Sequence, residues 1–199
     1  MSAHAMRFTE IEHKFVVGDS FDVDAFRSAV ESLAPVRRTR IAVRDCYYLT
    51  PDGTARGYLL RHRLDAELQQ VTIKSFGADS ETRHEVNLDL GLHAGDQTPQ
   101  VEAFVGLLGA HWTGRIDKQV EVWYFDDCEV VHYTAQAGPR RVACVEFEAR
   151  GQASLASALA VIGRFEQATG FGAAERSHRS LPQLLFDGFP NELVNPEPR

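Results

Sequence analysis

The chain has 199 residues, and its 21 Lys and Arg against 28 Asp and Glu give a formal charge of −7. This charge argues against a broad surface for nucleic acid or for an anionic membrane, because the overall field repels phosphate. No apolar run approaches the roughly 20 residues that cross a bilayer, and the start of the chain lacks the apolar core of a secretory signal. We expect a cytoplasmic protein that has one domain over residues 1–190 and a disordered tail over residues 191–199.

The first predicted strand alternates charged residues with mostly apolar ones. Glu10, Glu12 and Lys14 stand at every second position, with Ile11 and His13 between them and Phe15 directly after them. Alternate residues of a strand share one face, so the two carboxylates and the ammonium point the same way. Taken alone, this run is explained more simply by a half-solvated amphipathic strand.

The next part of the chain predicts one helix and then four strands. Residues 21–33 have helical apolar spacing, with Asp22 or Asp24 as the cap. Strands are predicted at about 36–49, 56–65, 68–76 and 82–90, and the Pro-Asp-Gly sequence at 51–53 predicts a hairpin turn. This close succession of strands predicts an antiparallel meander.

The second half of the chain repeats the alternation of helices and strands. Helices are predicted at 99–108, 154–169 and 181–186, and strands at about 114–125, 129–135 and 141–150. Eight strands with a few helices predict an α+β fold that is mainly antiparallel β. We expect an eight-stranded closed tunnel barrel with helices packed outside, since eight strands leave room for one small ligand.

The three cysteines, Cys46, Cys128 and Cys144, are odd in number and widely spaced. They contain no Cys-x-x-Cys pair, so neither a disulfide framework nor a zinc site is indicated. We predict that they are reduced and buried.

Charged residues recur at alternate positions in the later strands. These are Arg61 and Arg63, Lys74, Arg83 and Glu85, and Glu146 and Glu148. If their faces meet inside a barrel, every uncompensated charge costs several kcal/mol. A polyphosphate bound by the bases, with divalent cations bound by the glutamates, compensates both sets. The apolar residues between them then pack outward against the helices: Ile11, Val71, Ile73, Val145 and Phe147.

Five short motifs follow one another along the chain. They are Glu-x-Glu-x-Lys at 10–14, Leu-Arg-x-Arg at 60–63, Thr-x-Lys at 72–74, Arg-x-Glu at 83–85 and Glu-x-Glu at 146–148. In this order they resemble the CYTH superfamily, the triphosphate tunnel metalloenzymes. That superfamily includes class IV adenylate cyclases, thiamine triphosphatases and inorganic triphosphatases. The resemblance implies an antiparallel tunnel that binds a triphosphate together with Mg²⁺ or Mn²⁺.

The resemblance also implies roles for individual residues. The phosphate oxygens would be bound by Lys14, Arg61, Arg63, Lys74 and Lys118, with Arg83 as a weaker candidate. Metal coordination would fall to Glu10, Glu12, Glu85, Glu146 and Glu148. Glu10 and Glu12 are the candidates for the catalytic base. The implied partner is a small-molecule triphosphate, with no nucleic acid and no membrane, and a homodimer is left open.

Three positions depart from the family pattern. Asn87 replaces an acid that many members carry, Val120 stands where a basic residue is often found, and His132 stands where an Asp is often found. Each departure bears on catalysis more than on binding, because phosphoryl transfer depends on positioning and electrostatic stabilisation. His132 is either a hydrogen-bonded strand histidine or a ligand of a transition metal.

Two further groups follow from the alternation of strand faces. Arg38, Arg40 and Arg44 share one face and belong either to the tunnel mouth or to the solvated surface. His13, His62 and His84 lie opposite the charged partners and are predicted to be packing or surface residues.

The leading functional hypothesis is a metal-dependent triphosphatase. The runner-up is an adenylate cyclase of the class IV type, in which the ribose 3′-hydroxyl replaces water as the nucleophile. A third reading is a non-catalytic protein that binds polyphosphate or nucleotide. Nothing in the sequence identifies an adenine pocket, so the three remain open.

Overall fold

The computed structural model describes residues 8–75 and 82–189, and within them all side chains except those of residues 8–10 and 82–83. The strands are β1 (Phe8–Val17), β2 (Arg37–Leu49), β3 (Tyr58–Leu64), β4 (Gln69–Ser75), β5 (Thr82–Asp89), β6 (Trp112–Tyr124), β7 (Cys128–Ala137) and β8 (Arg140–Ala149). The helices are α1 (Val23–Ser32), α2 (Pro51–Arg56), α3 (Thr98–Leu107), α4 (Leu155–Ala168) and α5 (Leu181–Leu185). The predicted tail at 191–199 lies outside the described residues.

The strands form a closed antiparallel barrel in the order β1-β5-β4-β3-β2-β6-β7-β8, which confirms the predicted fold class. β1 completes the ring by changing partner along its length. Its residues from Phe8 to Ile11 pair with β5, and those from Glu12 to Val17 pair with β8.

Local sequence signals account for the ends of the helices. The Asp22 side chain accepts a hydrogen bond from the Ala25 amide and caps α1, as expected for a short acid at this position. The predicted hairpin turn at 51–53 is wrong in type, because the segment continues into α2. Thr50 caps the start of α2, and Gly57 ends it with a left-handed φ of 73°, a conformation that glycine adopts without strain.

Helices cover most of the outer face of the barrel. Ile11, Val145 and Phe147 pack with α1 and α4 in one apolar core, and α3 packs on the outer face of β2 and β3 in a second. These contacts confirm the predicted outward apolar face. Ile73 is the exception, because no described helix packs over its part of β4 and it remains 41% exposed. The three cysteines are buried and unpaired, as predicted.

A third apolar core lies inside one end of the barrel. Leu49, Leu59 and Ile116 point inward there and contact Leu181 and Leu185 of α5. The described C-terminal segment therefore fills this end of the barrel, which is called the plugged end below. The opposite end, at Glu67, Glu129 and Arg150, is called the mouth. Among the described residues, no helix combines the length and apolar character that crossing a membrane requires.

Candidate functional site

The barrel encloses a cavity of about 890 Å³ between the mouth and the plugged end. The inward positions of its strands carry the charges, since alternate residues of each strand point into the barrel. The charged lining residues are Glu12, Lys14, Arg61, Arg63, Asp65, Glu67, Lys74, Glu85, Lys118, Glu129, Glu146, Glu148 and Arg150. Acids and bases thus share one partly enclosed space.

Asp45 is the counter-ion for two of the cavity cations. Arg63 donates from Nε and Nη2 to the two Asp45 carboxylate oxygens at 2.8 and 2.9 Å, and Lys118 Nζ lies 2.5 Å from Oδ2. Burial raises the pKa of Asp45, but the charges of Arg63 and Lys118 outweigh this and hold that pKa well below its usual value. Asp45 therefore remains a carboxylate although it is fully buried.

Opposing effects also act on the pKa of Lys118, and here burial is the larger. Burial, followed by the charge of neighbouring Arg63, lowers the pKa of Lys118 to about 8, although Asp45 opposes the shift. Lys118 Nζ also lies 5.7 Å from the centre of the Tyr133 ring. The ammonium is therefore charged at neutral pH and loses its proton under mildly alkaline conditions.

Arg61 is positioned by neutral polar groups. Its Nη2 donates to Thr72 Oγ1 at 3.2 Å, and the Thr72 hydroxyl donates to Asn87 Oδ1 at 2.7 Å. Arg61 is buried, and its Nε has no hydrogen-bond partner among the residues that the structure describes. A buried donor without a partner is costly, and an anion in the cavity relieves that cost.

Carboxylates contact the remaining lysines. Lys14 Nζ lies 3.0 Å from Glu146 Oε1 and 3.5 Å from Glu12 Oε1, and Lys74 Nζ lies 2.5 Å from Glu85 Oε1. The Tyr133 hydroxyl donates to Glu146 Oε1 at 2.8 Å. Burial and the charge of Glu146 raise the pKa of Tyr133 well above its usual value. The phenol therefore stays protonated and can donate a hydrogen bond.

Three glutamates form a row across neighbouring strands near the mouth. Glu12 is opposite Glu148 in the β1–β8 pairing, and Glu148 is opposite Glu129 in the β7–β8 pairing. Arg150 Nη1 bridges the row, at 2.8 Å from Glu129 Oε1 and 3.6 Å from Glu148 Oε1. Burial raises the pKa of Glu129, and Arg150 offsets part of the increase.

The comparison with known families agrees with this architecture. The CYTH domain matches residues 9–160. The chain belongs to the CYTH domain family. No curated protein matches the chain.

Solved structures share the fold at low sequence identity. A Pyrococcus horikoshii OT3 protein has a TM-score of 0.69 at 17% identity, over 88% of this chain and 99% of that chain. A putative adenylate cyclase from Bacillus halodurans has a TM-score of 0.62 at 15% identity, over 90% and 98%. A putative adenylyl cyclase from Hippeastrum, described as having a dominant triphosphatase activity, has a TM-score of 0.50 at 14% identity, over 81% and 88%.

In this CYTH domain, most of the residues predicted for the site do line one cavity. They are Glu12, Lys14, Arg61, Arg63, Lys74, Glu85, Lys118, Glu146 and Glu148. The side chains of Glu10 and Arg83 lie outside the described part of the structure. Their backbones are directly opposite each other in the β1–β5 pairing, so their roles stay predictions.

The positions that depart from the family pattern separate into two groups. Asn87 and Val120 line the cavity. His132 faces the outer core instead, with its ring 6.1 Å from Phe21 and 6.3 Å from Phe26, and burial lowers its pKa. A role for His132 as a metal ligand in the tunnel is therefore wrong, and its Nε2 has no hydrogen-bond partner among the described residues.

The arginines of β2 also lie outside the tunnel. Arg38 and Arg40 both bind the buried carboxylate of Glu121 on the outer surface, and Arg44 contacts Asp96 at 3.3 Å. Of the two alternatives for Arg38, Arg40 and Arg44, the tunnel mouth is wrong and the solvated outer surface is confirmed. The prediction that His13 is a packing residue is confirmed, because His13 is buried outside the tunnel and its Nδ1 lies 2.6 Å from Glu166 Oε1.

Several cavity residues were not assigned from the sequence. They are Asp45, Thr72, Glu129, Tyr133 and Arg150. Asp45 had a detectable signal, because it is the only acid of a long predicted strand and alternates with Ile41, Val43 and Tyr47 on one face. Arg150 and Glu129 had none, since both fall at the ends of predicted strands.

The donors in the cavity suit a hard divalent cation better than a soft one. Within residues 8–75 and 82–189, no three His, Cys, Asp or Glu side chains are close enough together to form a complete metal site. Glu12 and Glu148, however, are register partners with carboxylate oxygens as their only donors. Oxygen donors with several waters and substrate phosphates are the ligands that Mg²⁺ prefers. The residues fit a metal that is bound jointly with a phosphate ligand.

Proposed function

We propose that this CYTH domain hydrolyses a triphosphate that binds inside the barrel together with Mg²⁺ or Mn²⁺. The observation that carries this proposal is the convergence of inward-pointing lysines, arginines and glutamates on one cavity of about 890 Å³. A polyanion with a divalent cation is the ligand that compensates both signs of charge in such a space.

The basic residues bind the phosphates and hold them in place. Arg61 offers an Nε that has no hydrogen-bond partner within residues 8–75 and 82–189, and Arg63 and Lys118 remain fixed by Asp45. Lys14 and Lys74 exchange part of their contact with glutamate for phosphate oxygen. Charged hydrogen bonds of this kind are the strong ones in proteins, and the fixed cations stabilise the charge that develops on the transferred phosphoryl group.

The acidic residues serve the cation and the attacking water. Glu12 and Glu148, which are register partners, would hold the metal together with phosphate oxygens and water, and Glu146, Glu85 and Glu10 are the remaining candidate ligands. When bound, the cation supplies Lewis acidity at the phosphoryl oxygens. Glu12, or Glu10, takes the proton of the attacking water. The water oxygen bonds to the terminal phosphorus, and the bond from that phosphorus to the bridging oxygen breaks, releasing phosphate.

A phosphate-release assay tests this reaction against its competitors. Tripolyphosphate, ATP and thiamine triphosphate are each supplied with Mg²⁺ or Mn²⁺, and cyclic AMP is measured in parallel. Release of phosphate without cyclic AMP supports hydrolysis. Formation of cyclic AMP from ATP replaces the proposal with a cyclase, and tight binding without product replaces it with a binding protein.

Arg61→Ala tests the binding site itself. Removing this charged donor is expected to weaken triphosphate binding by roughly 1.5–3 kcal/mol. Arg115→Ala is the matched control, because Arg115 is exposed and pairs with Asp117. An unchanged dissociation constant in Arg61→Ala removes this residue from the site.

A further inference from the structure

The wall of the cavity is not charged on all sides. β1, β3, β4, β5 and β8 supply most of its charged residues, whereas β2, β6 and β7 supply an apolar surface that lies between Lys118 and Glu129. This surface consists of Ile41, Val120, Val122 and Val131, and is called the apolar wall here.

The four residues are neighbours across adjacent strands. Ile41 is opposite Val120 in the β2–β6 pairing, and Val122 is opposite Val131 in the β6–β7 pairing. Residues opposite each other on one face have Cβ atoms about 4.5–5.5 Å apart. The apolar wall is therefore continuous.

The apolar wall faces the cavity and begins next to the charges. Ile41, Val120 and Val131 are only partly buried although they line the interior. Val131 is also opposite Glu146 in the β7–β8 pairing, and Glu146 contacts Lys14. A ligand anchored at Lys14 thus lies beside apolar surface on the same side of the barrel.

An aromatic side chain extends this surface toward the mouth. Tyr124 lines the cavity two residues beyond Val122 on the same face of β6. The guanidinium carbon of Arg37 lies 4.2 Å from the centre of the Tyr124 ring. Planar groups stack favourably on such a pair.

An inorganic polyphosphate gains no favourable binding free energy from contact with the apolar wall. Every phosphate in it is charged, so contact with valine and isoleucine removes water from the anion without replacing its hydrogen bonds. A triphosphate ester with an apolar, flat organic group gains from burying that group on the same surface.

We propose that the apolar wall binds the organic group of a triphosphate ester. This inference rests on the proposed function. The preferred substrate class is then an ester with a flat apolar or aromatic group, and tripolyphosphate is a poorer ligand. The charged residues of the cavity bind the phosphates of the ester and of tripolyphosphate equally.

Equilibrium binding to the intact protein tests this inference without relying on turnover. The probes are methylene-bridged, hydrolysis-resistant forms of tripolyphosphate, methyl triphosphate and phenyl triphosphate, titrated calorimetrically with Mg²⁺. The phenyl ester is expected to bind about tenfold more tightly than the methyl ester, which corresponds to roughly 1.4 kcal/mol. Equal affinities for the two esters overturn the inference.

A double variant locates the effect on the wall. Val120→Thr with Val131→Thr keeps the branched shape of both side chains and replaces one methyl group of each with a hydroxyl. It is expected to abolish the preference for the phenyl ester and to leave tripolyphosphate affinity unchanged. Val86→Thr, at a valine that is 54% exposed on the outer face of β5, is the matched control and retains the preference. An undiminished preference in the double variant overturns the assignment to this wall.

The two proposals fail in distinguishable ways. If the protein prefers the phenyl ester but hydrolyses no triphosphate, binding of an organic group by the apolar wall is supported and the proposed hydrolase activity is overturned. If the protein hydrolyses a triphosphate but does not prefer the phenyl ester, the proposed hydrolase activity is retained and the proposed role of the apolar wall is overturned. If none of the three probes binds and no triphosphate is hydrolysed, both proposals are overturned.

Discussion

Arg63 and Asp45 form a double hydrogen bond across the paired strands β3 and β2, with donor–acceptor distances of 2.8 and 2.9 Å. The same carboxylate contacts Lys118. Asp45 has no exposed surface, so Arg63 and Lys118, rather than water, stabilise its charge. Asp45 in turn holds these two cavity-lining cations in position before a ligand binds.

Asp45→Asn is expected to destabilise the protein by about 3–5 kcal/mol, because it leaves buried cations without their counter-ion. Urea unfolding in the absence of ligand measures this loss. Asp117→Asn serves as the control, since Asp117 forms an exposed ion pair with Arg115 and such pairs contribute little. A loss for Asp45→Asn as small as that of the control contradicts the structural role of this carboxylate.

Triphosphate binding is expected to depend on the protonation of Lys118. Its pKa is lowered to about 8, so the side chain is a cation below that pH and neutral above it. Affinity for the anion is therefore full below about pH 8 and falls as the pH rises, by at most about tenfold per pH unit. Titrations of the hydrolysis-resistant tripolyphosphate across this range measure the effect.

Lys118→Arg is the control for the pH effect, because arginine keeps its charge throughout. The fall in affinity above about pH 8 is expected to disappear in this variant. If the fall persists there, another group causes it.

Glu12→Gln is expected to lower metal-dependent turnover by about 10² to 10⁴, the usual contribution of a general base. Glu12 is buried and contacts Lys14, so circular dichroism and thermal unfolding are measured alongside to confirm that the variant folds. Glu102→Gln, at an exposed position on α3, is the matched control. Turnover that matches the control removes Glu12 from the mechanism.

Gly114→Ala tests the packing of the plugged end. A Cβ at Gly114 would lie 2.6 Å from the Trp112 ring and 2.9 Å from Phe186, so the C-terminal segment must shift. We expect a loss of about 1–3 kcal/mol, as for other overpacked cores, measured by thermal unfolding.

Gly163→Ala is the control of opposite sign. A Cβ there meets nothing within 4 Å, and alanine in a helix interior is favoured over glycine by about 0.8–1 kcal/mol. We expect this variant to be as stable as the wild type or more so. Equal stability of the two variants contradicts the tight packing at Gly114.

Strand periodicity was sufficient to predict most of the charged wall. In β1, β3 and β8 the charged residues occupy one face and the apolar residues the other, so Lys14, Arg61 and Glu146 could be grouped before the structure was known. The grouping worked because the period of two holds in any strand, and because the outer apolar residues of β1 and β8 are buried under α1 and α4.

The same reasoning failed in β2, where Arg38, Arg40 and Arg44 lie on the outer face. Arg38 and Arg40 point outward to Glu121, and the inward positions beside them carry apolar side chains such as Ile41. Period alone does not say which face is inside. That choice depends on pairing with β6 and on where the helices dock, and both involve residues distant in sequence.

Leu181 and Leu185 are buried against the inner faces of the strands at the plugged end. In the described part of the barrel, we therefore expect a ligand to enter the cavity at the mouth, beside Arg150. If the domain hydrolyses a triphosphate as proposed, its products leave by the same route, and added phosphate is expected to slow steady-state turnover.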